Sequence, residues 1–587
     1  MKLKLKIISI ILAAVTLCST LASCSKLEAG NENDSQDTSD LSEENTDDKS
    51  STDKSGDNSN KETEKLPNNI YLLFQNEEYA AKIVYPDNPT DTEKAVYSKL
   101  RSSIKSLTGK TVESATDYLK NGETHPKNEA AILVGLTNYT ESQTVYSSSD
   151  YGTYGVKFSG KKMVIYFSTK EEGLELVEAI CDAVKSNSDK AFWISKSFSV
   201  SKKTEFKLET IPKYPTATKS YNCYDYTTML IASNTNLTNF EAYCNTLKAN
   251  KYVEYARRDN VNGNYFRTFT KGTMALTVYF TKSTSTVRII SGPISDIPTK
   301  DIDRTPETNK NPTITMLTQG ENKGSGLGMI YHLPNGKFFI YDGGYVLNDS
   351  LYTKLKELAK GQDIVIAAWV ISHPHPDHQD AFDDFIKKHY NEVRIENVMY
   401  NFSNVSDKYG TSETIKPTIK ELNRTTNVIK PHSGQIYNFG SSSIEILYTV
   451  EDFIPKSISD VNYSSMVVRF TVKGQSMITL GDAYDDVATD LTSMYGSYLK
   501  SDMVQLAHHG TYPGTTTLYS NINAPILFWP SCASNVKSRY NSSGHESLRK
   551  AITLADTVYL AGDGTITLAL PCAKVSNRAA FLKRMGV

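Results

Sequence analysis

The sequence predicts a mixed α/β protein built from several modules. Its 587 residues are too many for one hydrophobic core, which rarely grows beyond about 250–300 residues. Short apolar runs with the length of buried strands alternate with stretches in which apolar residues recur at helical spacing. Nine of the ten histidines follow residue 330. These observations favour two smaller N-terminal modules and a C-terminal module that carries the chemistry.

The N-terminus has the pattern of an export signal. Three lysines among the first six residues precede the apolar stretch 7–17. The tetrapeptide Leu-Ala-Ser-Cys that ends at Cys24 resembles a bacterial lipobox, which implies a signal peptide at 1–23 and acylation of the Cys24 thiol. A membrane-spanning helix is the competing interpretation, but the apolar stretch is shorter than the roughly 20 residues that a span needs. We therefore expect a lipid-anchored protein on the extracellular face of the bacterial cytoplasmic membrane.

Residues 24–66 consist mainly of Ser, Asp, Asn, Glu, Lys and Thr. Such a segment cannot bury enough apolar surface to offset the entropy of ordering it, so it is predicted to be a disordered linker. Its expected role is that of a flexible tether between the membrane anchor and the folded modules.

The first folded module is predicted at residues 67–212. Residues 70–74 and 130–135 have the composition of strands, and apolar residues at helical spacing lie between them. The segments 132–137 and 154–156 together resemble small α/β domains that are appended to extracellular carbohydrate-active enzymes. This resemblance implies association with surfaces or glycans and indicates no catalytic residue.

The second module is predicted at residues 213–305. A strand at 229–232 is followed by helix-starting Asn and Thr residues and by a helix marked by Phe240 and Leu247. Three strands complete the unit, and no catalytic constellation is visible in it. Several prolines mark the passage into residues 306–587.

The C-terminal module contains a strand-like apolar run at 364–371 that leads into a cluster of histidines and an aspartate. The cluster is His373-Pro374-His375-Pro376-Asp377-His378. Imidazole and carboxylate groups are the ligands that Zn²⁺ and similar divalent ions take. One short segment can thus supply parts of two metal sites, and a chance arrangement of so few histidines in this pattern is improbable.

At these residues the chain resembles the metallo-β-lactamase superfamily, whose signature is H-x-H-x-D-H. Further similarity follows in order at 338–344, at 477–482 and in the His-His-Gly of 506–510. The last of these resembles the branch that includes the nuclease-like domain of DNA-uptake competence proteins and the phosphorylcholine esterases of bacterial surfaces. The resemblance implies a four-layer α/β/β/α sandwich over 306–587.

The resemblance also implies roles for individual residues. His373 and His375 would bind a first metal ion, Asp377 and His378 a second one, and Asp482 would bridge both. Asp342 would support the metal loop through hydrogen bonds. Three further histidines have expected roles. His509 would complete the second metal site, His508 would face the substrate, and His545 would lie near the pocket mouth.

Strand geometry separates the expected roles of His508 and His509, because adjacent residues on a strand point to opposite faces. One departure from the superfamily weakens the first metal site, since a further histidine is usual before the bridging aspartate. Only His389 and His432 are available for that position. The first ion would then be held by fewer protein ligands.

The predicted function is a metal-dependent hydrolase with two divalent ions, which are expected to be Zn²⁺, with Mn²⁺ as the alternative. Two such ions can hold a hydroxide for attack on a phosphodiester, and Asp377 could orient that water or accept its proton. The predicted substrates are phosphorylcholine-type or polymer phosphodiesters of envelope glycopolymers.

Three alternatives stay open at this point. An extracellular nuclease is favoured by the competence-protein resemblance and by several basic residues, Lys500, Lys537, Arg539, Arg549 and Lys550, although the net charge of −2 gives no global attraction to nucleic acid. A glycan-binding surface protein without activity is a second alternative. Hydrolysis of a lactam or lactone is a third, because a hydroxide also attacks acyl carbons.

Overall fold

The computed structural model describes residues 65–120, 123–149, 153–167, 169–203, 207–223, 227–300, 303–320, 325–402, 407–423, 425–454 and 460–587. The predicted signal peptide, Cys24 and nearly all of the predicted linker lie outside the described residues. The described residues, from Lys65 onward, belong to one compact unit. In the part of the chain that the structure describes, no helix combines the length and the apolar character that crossing a membrane requires.

The N-terminal part contains two sheets and three helices. Its strands are β1 Ile70–Gln75, β2 Glu78–Tyr79, β3 Lys82–Tyr85, β4 Ser114–Thr116, β5 Ala131–Val134, β6 Thr153–Ser159, β7 Lys162–Tyr166, β8 Lys185–Ser186, β9 Phe192–Ser195 and β10 Val200–Lys203. The sheet orders are β2-β1-β9-β8 and β10-β6-β7-β5-β3-β4. The helices are α1 Asp91–Thr108, α2 Thr140–Ser147 and α3 Lys170–Ala183. Helix α1 begins with a capping box between Thr90 and Glu93 and ends at Gly109, which has φ +79°.

The middle part is one antiparallel sheet with one helix. Its elements are β11 Thr218–Asn222, β12 Thr228–Ala232, α4 Leu237–Ala249, β13 Val253–Val261, β14 Asn264–Lys271, β15 Met274–Thr281 and β16 Thr286–Pro293, with the strand order β11-β12-β16-β15-β14-β13. One face of the sheet packs on α4. The opposite face, through Phe266 and Tyr279, shares a core with Tyr448 and Tyr495 of the C-terminal part. The middle part is therefore joined to the C-terminal part by a common apolar core.

The C-terminal part contains two sheets that carry helices on their outer sides. The first sheet comprises β17 Thr313–Met316, β18 Gly328–His332, β19 Phe338–Asp342, β20 Val365–Val370, β21 Arg394–Ile395, β22 Asn397–Met399, β23 Asn427–Ile429 and β31 Ile566–Ala569. The second sheet comprises β24 Ile436–Phe439, β25 Ser442–Tyr448, β26 Val467–Val472, β27 Gln475–Thr479, β28 Met503–Gln505, β29 Ile526–Trp529 and β30 Thr557–Leu560. Their orders are β23-β22-β20-β19-β18-β17-β31, with β21 beside β20, and β24-β25-β26-β27-β28-β29-β30.

The helices of this part are α5 Ser350–Ala359, α6 Pro376–His389, α7 Ile415–Lys420, α8 Val450–Phe453, α9 Asp485–Tyr495, α10 Thr516–Ile522, α11 Ala533–Asn541, α12 Glu546–Leu554 and α13 Arg578–Met585. Three apolar layers hold the part together. Phe339 and Phe470 belong to the layer between the sheets. Trp369 and Phe382 belong to the layer between the first sheet and its helices. Helices α9, α10 and α12 cover the outer face of the second sheet.

This arrangement is a four-layer α/β/β/α sandwich, so the predicted fold class is confirmed. The predicted strands at 364–371 and 477–480 correspond to β20 and β27, which lie in different sheets. Both strands end at the same edge of the sandwich, because the segments that follow them are adjacent there: Gly481 lies so close to Ser372 that an added Cβ would be 3.1 Å from the Ser372 Cβ. The boundaries at 67, 213 and 306 stay predictions.

Candidate metal centre

The histidine cluster follows β20 directly, as expected, but its second half belongs to a helix. Pro376 begins α6, and a proline is favoured in the first helical turn because its missing N–H has no partner there. Asp377 lies in that first turn, where the positive end of the helix dipole stabilises its carboxylate. The short connection and the rigid helix start hold the cluster's side chains close together.

Four side chains converge on one point, and they are Asp377, His378, Asp482 and His509. The Nε2 atom of His509 lies 3.1 Å from Oδ2 of Asp377 and 3.3 Å from Oδ2 of Asp482. The Nε2 atom of His378 lies 3.2 Å from Oδ1 of Asp482 and 3.3 Å from Nε2 of His509. Donors at about 2.0–2.2 Å from a tetrahedral ion would be about 3.3–3.6 Å apart. The four side chains therefore fit a divalent metal ion.

The other two predicted metal ligands lie beside this group. The Nε2 atom of His373 is 3.2 Å from Nδ1 of His375 and 4.0 Å from Oδ2 of Asp482. Asp482 thus contacts His378 and His509 and lies 4.0 Å from His373, which in turn contacts His375. A carboxylate that reaches both sets of histidines could bridge two metal sites.

Each of these histidines turns one ring nitrogen toward the group and the other toward a fixed partner. The contacts of the outward nitrogens are 2.9 Å from His373 Nδ1 to Ser372 Oγ, 2.7 Å from His378 Nδ1 to Asp342 Oδ2, 2.9 Å from His509 Nδ1 to the Pro530 carbonyl, and 3.0 Å from His375 Nε2 to Asp407 Oδ2. Such partners fix the ring orientation and the tautomer of a metal-ligating histidine.

Asp342 occupies the supporting position that the resemblance implied. It is fully buried and accepts hydrogen bonds from the backbone N–H of Ser372 at 2.7 Å and from the Ser372 hydroxyl at 2.8 Å. Its backbone has φ +56° at the end of β19, which turns the side chain toward the metal loop. Asp342 therefore connects the end of one strand to the loop that follows the next.

Sequence reasoning missed Asp407. Its Oδ1 atom accepts the backbone N–H groups of Tyr409 and Gly410 at 2.7 and 2.9 Å, and its Oδ2 accepts that of Val461 at 3.1 Å. Burial raises the pKa of Asp407, but these hydrogen bonds and the contact with His375 lower it to about 2. The Asp-Lys-Tyr-Gly pattern predicts only a turn. Nothing in it points to His375, which is far away in the sequence.

The His508–His509 pair does not lie on a strand, so the strand argument used to separate the two residues was wrong. Strand β28 ends at Gln505, and residues 507–510 form a tight turn in which His508 and His509 have φ +47° and +52°. The turn places His509 among the converging donors. The Nε2 atom of His508 lies 3.7 Å from Oδ2 of Asp482. Its Nδ1 atom is buried and has no hydrogen-bond partner within the described part of the chain.

The three remaining candidate histidines, His545, His389 and His432, lie outside the converging group. His545 hydrogen-bonds the Arg539 carbonyl through Nδ1 at 2.8 Å and is half-buried. His389 stacks on Tyr352 with ring centroids 3.8 Å apart. His432 is buried 3.5 Å from Glu451 in a separate polar network, so the structure gives it no contact with the metal ligands.

The charges of the group are mutually dependent. Burial disfavours the charged form of both His378 and His509, but the nearby carboxylates of Asp482 and Asp377 raise both pKa values, that of His509 to about 9. Burial raises the pKa of Asp482, yet the surrounding histidines hold it well below its usual value. Burial and neighbouring imidazoles lower the pKa of His373. The cluster thus combines buried carboxylates with imidazoles, which is the donor set that divalent transition metals prefer.

No family model matches the chain, and no curated protein matches it significantly. Solved structures do match. CmlA, a diiron β-hydroxylase from Streptomyces venezuelae, is 11% identical with a TM-score of 0.28, over 45% of this chain and 55% of that one. The match therefore spans about half the length of CmlA.

Two further structures cover a similar share of this chain. Zn²⁺-bound PqqB from Methylobacterium extorquens is 7% identical with a TM-score of 0.27, over 44% of this chain and 100% of PqqB. A proposed metal-dependent hydrolase from Parabacteroides distasonis is 12% identical with a TM-score of 0.22, over 51% of this chain and 98% of that one. These values are too low to assign a family, and the fold is defined by the sheets and helices described above.

Proposed function

We propose that this protein is a metal-dependent hydrolase with two divalent ions, and that it acts as a phosphodiesterase on envelope or extracellular phosphodiesters. The observation that carries the proposal is the buried Asp482 carboxylate, which lies within 4.0 Å of the imidazoles of His373, His378, His508 and His509. A buried carboxylate among several imidazoles needs positive charge beside it, which divalent ions would supply. Zn²⁺ fits the nitrogen-rich donor set, with Mn²⁺ as the alternative.

Two bound divalent ions would supply water that ionises near neutral pH and positive charge for the phosphoryl oxygens. The protein's own residues hold this arrangement in place. Asp377 has one carboxylate oxygen 3.1 Å from His509 Nε2 and another 3.9 Å from His378 Nε2, so it can also accept a proton at the site. His508 is 15% exposed and its Nε2 lies 3.7 Å from Oδ2 of Asp482, which would allow it to contact a substrate beside the group.

The charge around the group favours a small diester group over a long polyanion. The basic residues Arg539 and Arg549 are already engaged, since Arg539 donates to the His509 carbonyl at 2.5 Å and Arg549 to the Tyr540 carbonyl at 2.7 Å. Acidic residues, including Asp485 and Asp486, stand at the start of α9 nearby. A nuclease would need free positive charge along the path of the nucleic acid.

Surface anchoring through the Cys24 thiol forms part of the proposal, because the lipobox-like sequence precedes a linker long enough to separate the enzyme from the membrane. Radiolabelled fatty-acid incorporation into the wild-type protein, and its loss in Cys24→Ala, would test this anchor. Label that persists in the variant would contradict it.

The activity is tested with a chromogenic phosphodiester, a lactam and single-stranded DNA as parallel substrates, together with metal analysis of the purified protein. We expect close to two divalent ions per chain, hydrolysis of the diester, and loss of hydrolysis on chelation with recovery on adding Zn²⁺ or Mn²⁺. Asp482→Ala should lose at least one ion and reduce hydrolysis by about 10³-fold or more. A chain that binds less than one ion, or that hydrolyses the diester after chelation, would overturn the proposal.

A further inference from the structure

A cleft of about 560 Å³ lies away from the metal-binding side chains. Its walls come from strands β13–β15 of the middle sheet, from residues 298–300 and Asp303, and from β24 with the turn before it and the loop after it. None of the converging metal donors lines it. Ligand sites in proteins commonly have volumes of about 300–1,000 Å³ and occur where two parts of a chain meet. The cleft has that size and that location.

The walls of the cleft are tied to each other, so the cavity is preformed. Arg258 of β13 donates to the Gly434 carbonyl at 2.9 Å and to Glu445 at 2.7 Å. The Gln435 amide donates to the Thr277 hydroxyl at 3.4 Å. A preformed site avoids the ordering cost that binding would otherwise include.

The lining of the cleft combines apolar surface, from Phe266, Pro298 and Ile436 among others, with polar side chains. The ring of Tyr255 forms part of the wall, and its hydroxyl donates to the Pro298 carbonyl at 2.6 Å, which fixes the ring. Arg257 and Asn438 are both exposed to solvent at the cleft and carry planar groups with several hydrogen-bonding atoms. This mixture suits a ligand that is covered with hydroxyl groups and also has an apolar ring face.

The arginines of the lining are electrically compensated. Arg257 and Arg267 bind Asp259 at 2.5 and 2.6 Å, and Arg258 binds Glu445. The lining also contains Asp303 and Lys300, and the Lys300 Nζ lies 4.2 Å from the centre of the Tyr255 ring. With these acids the charge of the cleft is close to balanced, so it attracts a polyanion only weakly. The guanidinium groups remain useful as fixed hydrogen-bond donors.

We propose that this cleft binds a short neutral segment of an oligosaccharide. The inference does not depend on the reaction at the metal centre, and the binding site would operate if that centre had another substrate. In combination with the proposed function, the cleft would hold the glycan part of a substrate while a diester elsewhere in the polymer is hydrolysed.

The test uses the full-length, metal-loaded protein and a panel of neutral oligosaccharides built from glucose, galactose or N-acetylglucosamine, with a glycerol-phosphate oligomer as the anionic probe. Binding is measured by saturation-transfer NMR and calorimetry at low and high salt. We expect at least one neutral oligosaccharide to bind with an affinity that salt hardly changes. Tyr255→Ala and Asn438→Ala should each weaken it by about tenfold.

Tyr118→Ala is the matched control, because Tyr118 is a solvent-exposed tyrosine of the N-terminal part and does not line the cleft. It should bind like the wild type. Melting curves and metal content identify any variant that fails to fold. If Tyr255→Ala fails to fold, Asn438→Ala still tests the proposal, because Asn438 is exposed and its replacement should not disturb folding. The proposal is overturned if no neutral oligosaccharide binds, if both cleft variants bind normally, or if only the glycerol-phosphate oligomer binds and salt abolishes that binding.

Discussion

The Nε2 atom of His375 lies 3.0 Å from Oδ2 of Asp407, while Nδ1 of the same ring lies 3.2 Å from Nε2 of His373. One imidazole therefore connects the metal-binding group to a carboxylate on a separate loop. Three backbone N–H groups hold that carboxylate. Asp407 is therefore a positioning residue for the first metal site, for which the sequence indicated too few ligands.

Asp407→Ala should weaken binding of one metal ion by about 10–100-fold, because the His375 ring would lose the partner that sets its orientation and tautomer. The other ion should bind as in the wild type. Competition titration with a chromophoric chelator measures both affinities without relying on activity. Asp407→Asn keeps a hydrogen-bonding carbonyl and should recover part of the loss.

Asp384→Asn is a suitable control for this pair of variants. Asp384 forms an ion pair with Lys388 at 2.8 Å and is about two turns further along α6 than the metal ligands. It should leave both metal affinities unchanged. Equal weakening of the two ions in Asp407→Ala would contradict a role that is specific to His375.

His509→Ala and His508→Ala should have different effects, although the residues are adjacent. His509 is one of the four converging donors, so its removal should lower the metal content by about one ion per chain. His508 should be dispensable for metal content, and its replacement should reduce kcat for the diester by about 10²-fold. Metal analysis and steady-state kinetics on both variants check this. The opposite pattern would exchange the two roles.

Metal affinity should increase with pH up to about 9. In the metal-free protein, the carboxylates around His509 raise its pKa to about 9, so this ring is protonated at neutral pH. A metal ion needs the neutral nitrogen and must displace that proton. For each displaced proton, the dissociation constant of the metal ion falls about tenfold with each unit of pH increase, as long as the pH is below the pKa. Titrations at several pH values, with proton release measured in weak buffer, test this. An affinity that is constant between neutral pH and pH 9 would disprove it.

Gly510→Ala should destabilise the protein by about 1–3 kcal/mol and weaken metal binding. Gly510 has φ +82°, and an added Cβ would lie 2.9 Å from Nε1 of Trp529. That indole N–H donates to the His509 carbonyl at 2.7 Å, so a shift of the ring would move a metal ligand. Thermal unfolding and metal titration measure the two effects. Gly474 has φ +72° and no heavy atom near the position of an added Cβ. Gly474→Ala should therefore lower the free energy of unfolding through backbone strain but leave metal affinity unchanged.

Glu451→Gln should destabilise the metal-free protein by about 3 kcal/mol at neutral pH. Burial raises the pKa of Glu451, but His432, Lys430 and Thr449 lower it from 4.5 to about 2. Because the pKa in the folded protein is depressed, the stabilisation is complete above the unfolded pKa and disappears as pH falls toward 2. Urea unfolding of both proteins across this range checks the sign. A difference in unfolding free energy between the wild type and Glu451→Gln that grows as the pH falls would contradict this prediction.

The main elements of the C-terminal part could be predicted from local sequence. Of the strands formed by these apolar runs, β19 is buried throughout, and β20 and β27 are buried toward their C-terminal ends. Burial on both faces produces continuous apolar runs. The glycines and aspartates after those runs mark the ends of the strands. That the ends of these strands meet was implied only by the resemblance of the segments to a known superfamily, and not by the local patterns themselves.

The sequence by itself therefore determined which side-chain types are present and at which strand ends they stand, because periodicity and composition are local properties. Tertiary structure decided the rest. Asp407 reaches His375 only because two loops meet at one edge of the sandwich, and His509 rather than His508 joins the donors only because residues 507–510 form a left-handed turn. The cleft likewise exists only where the middle sheet packs against the second sheet. Distances between segments that are far apart in the chain depend on packing, and local patterns contain no information about them.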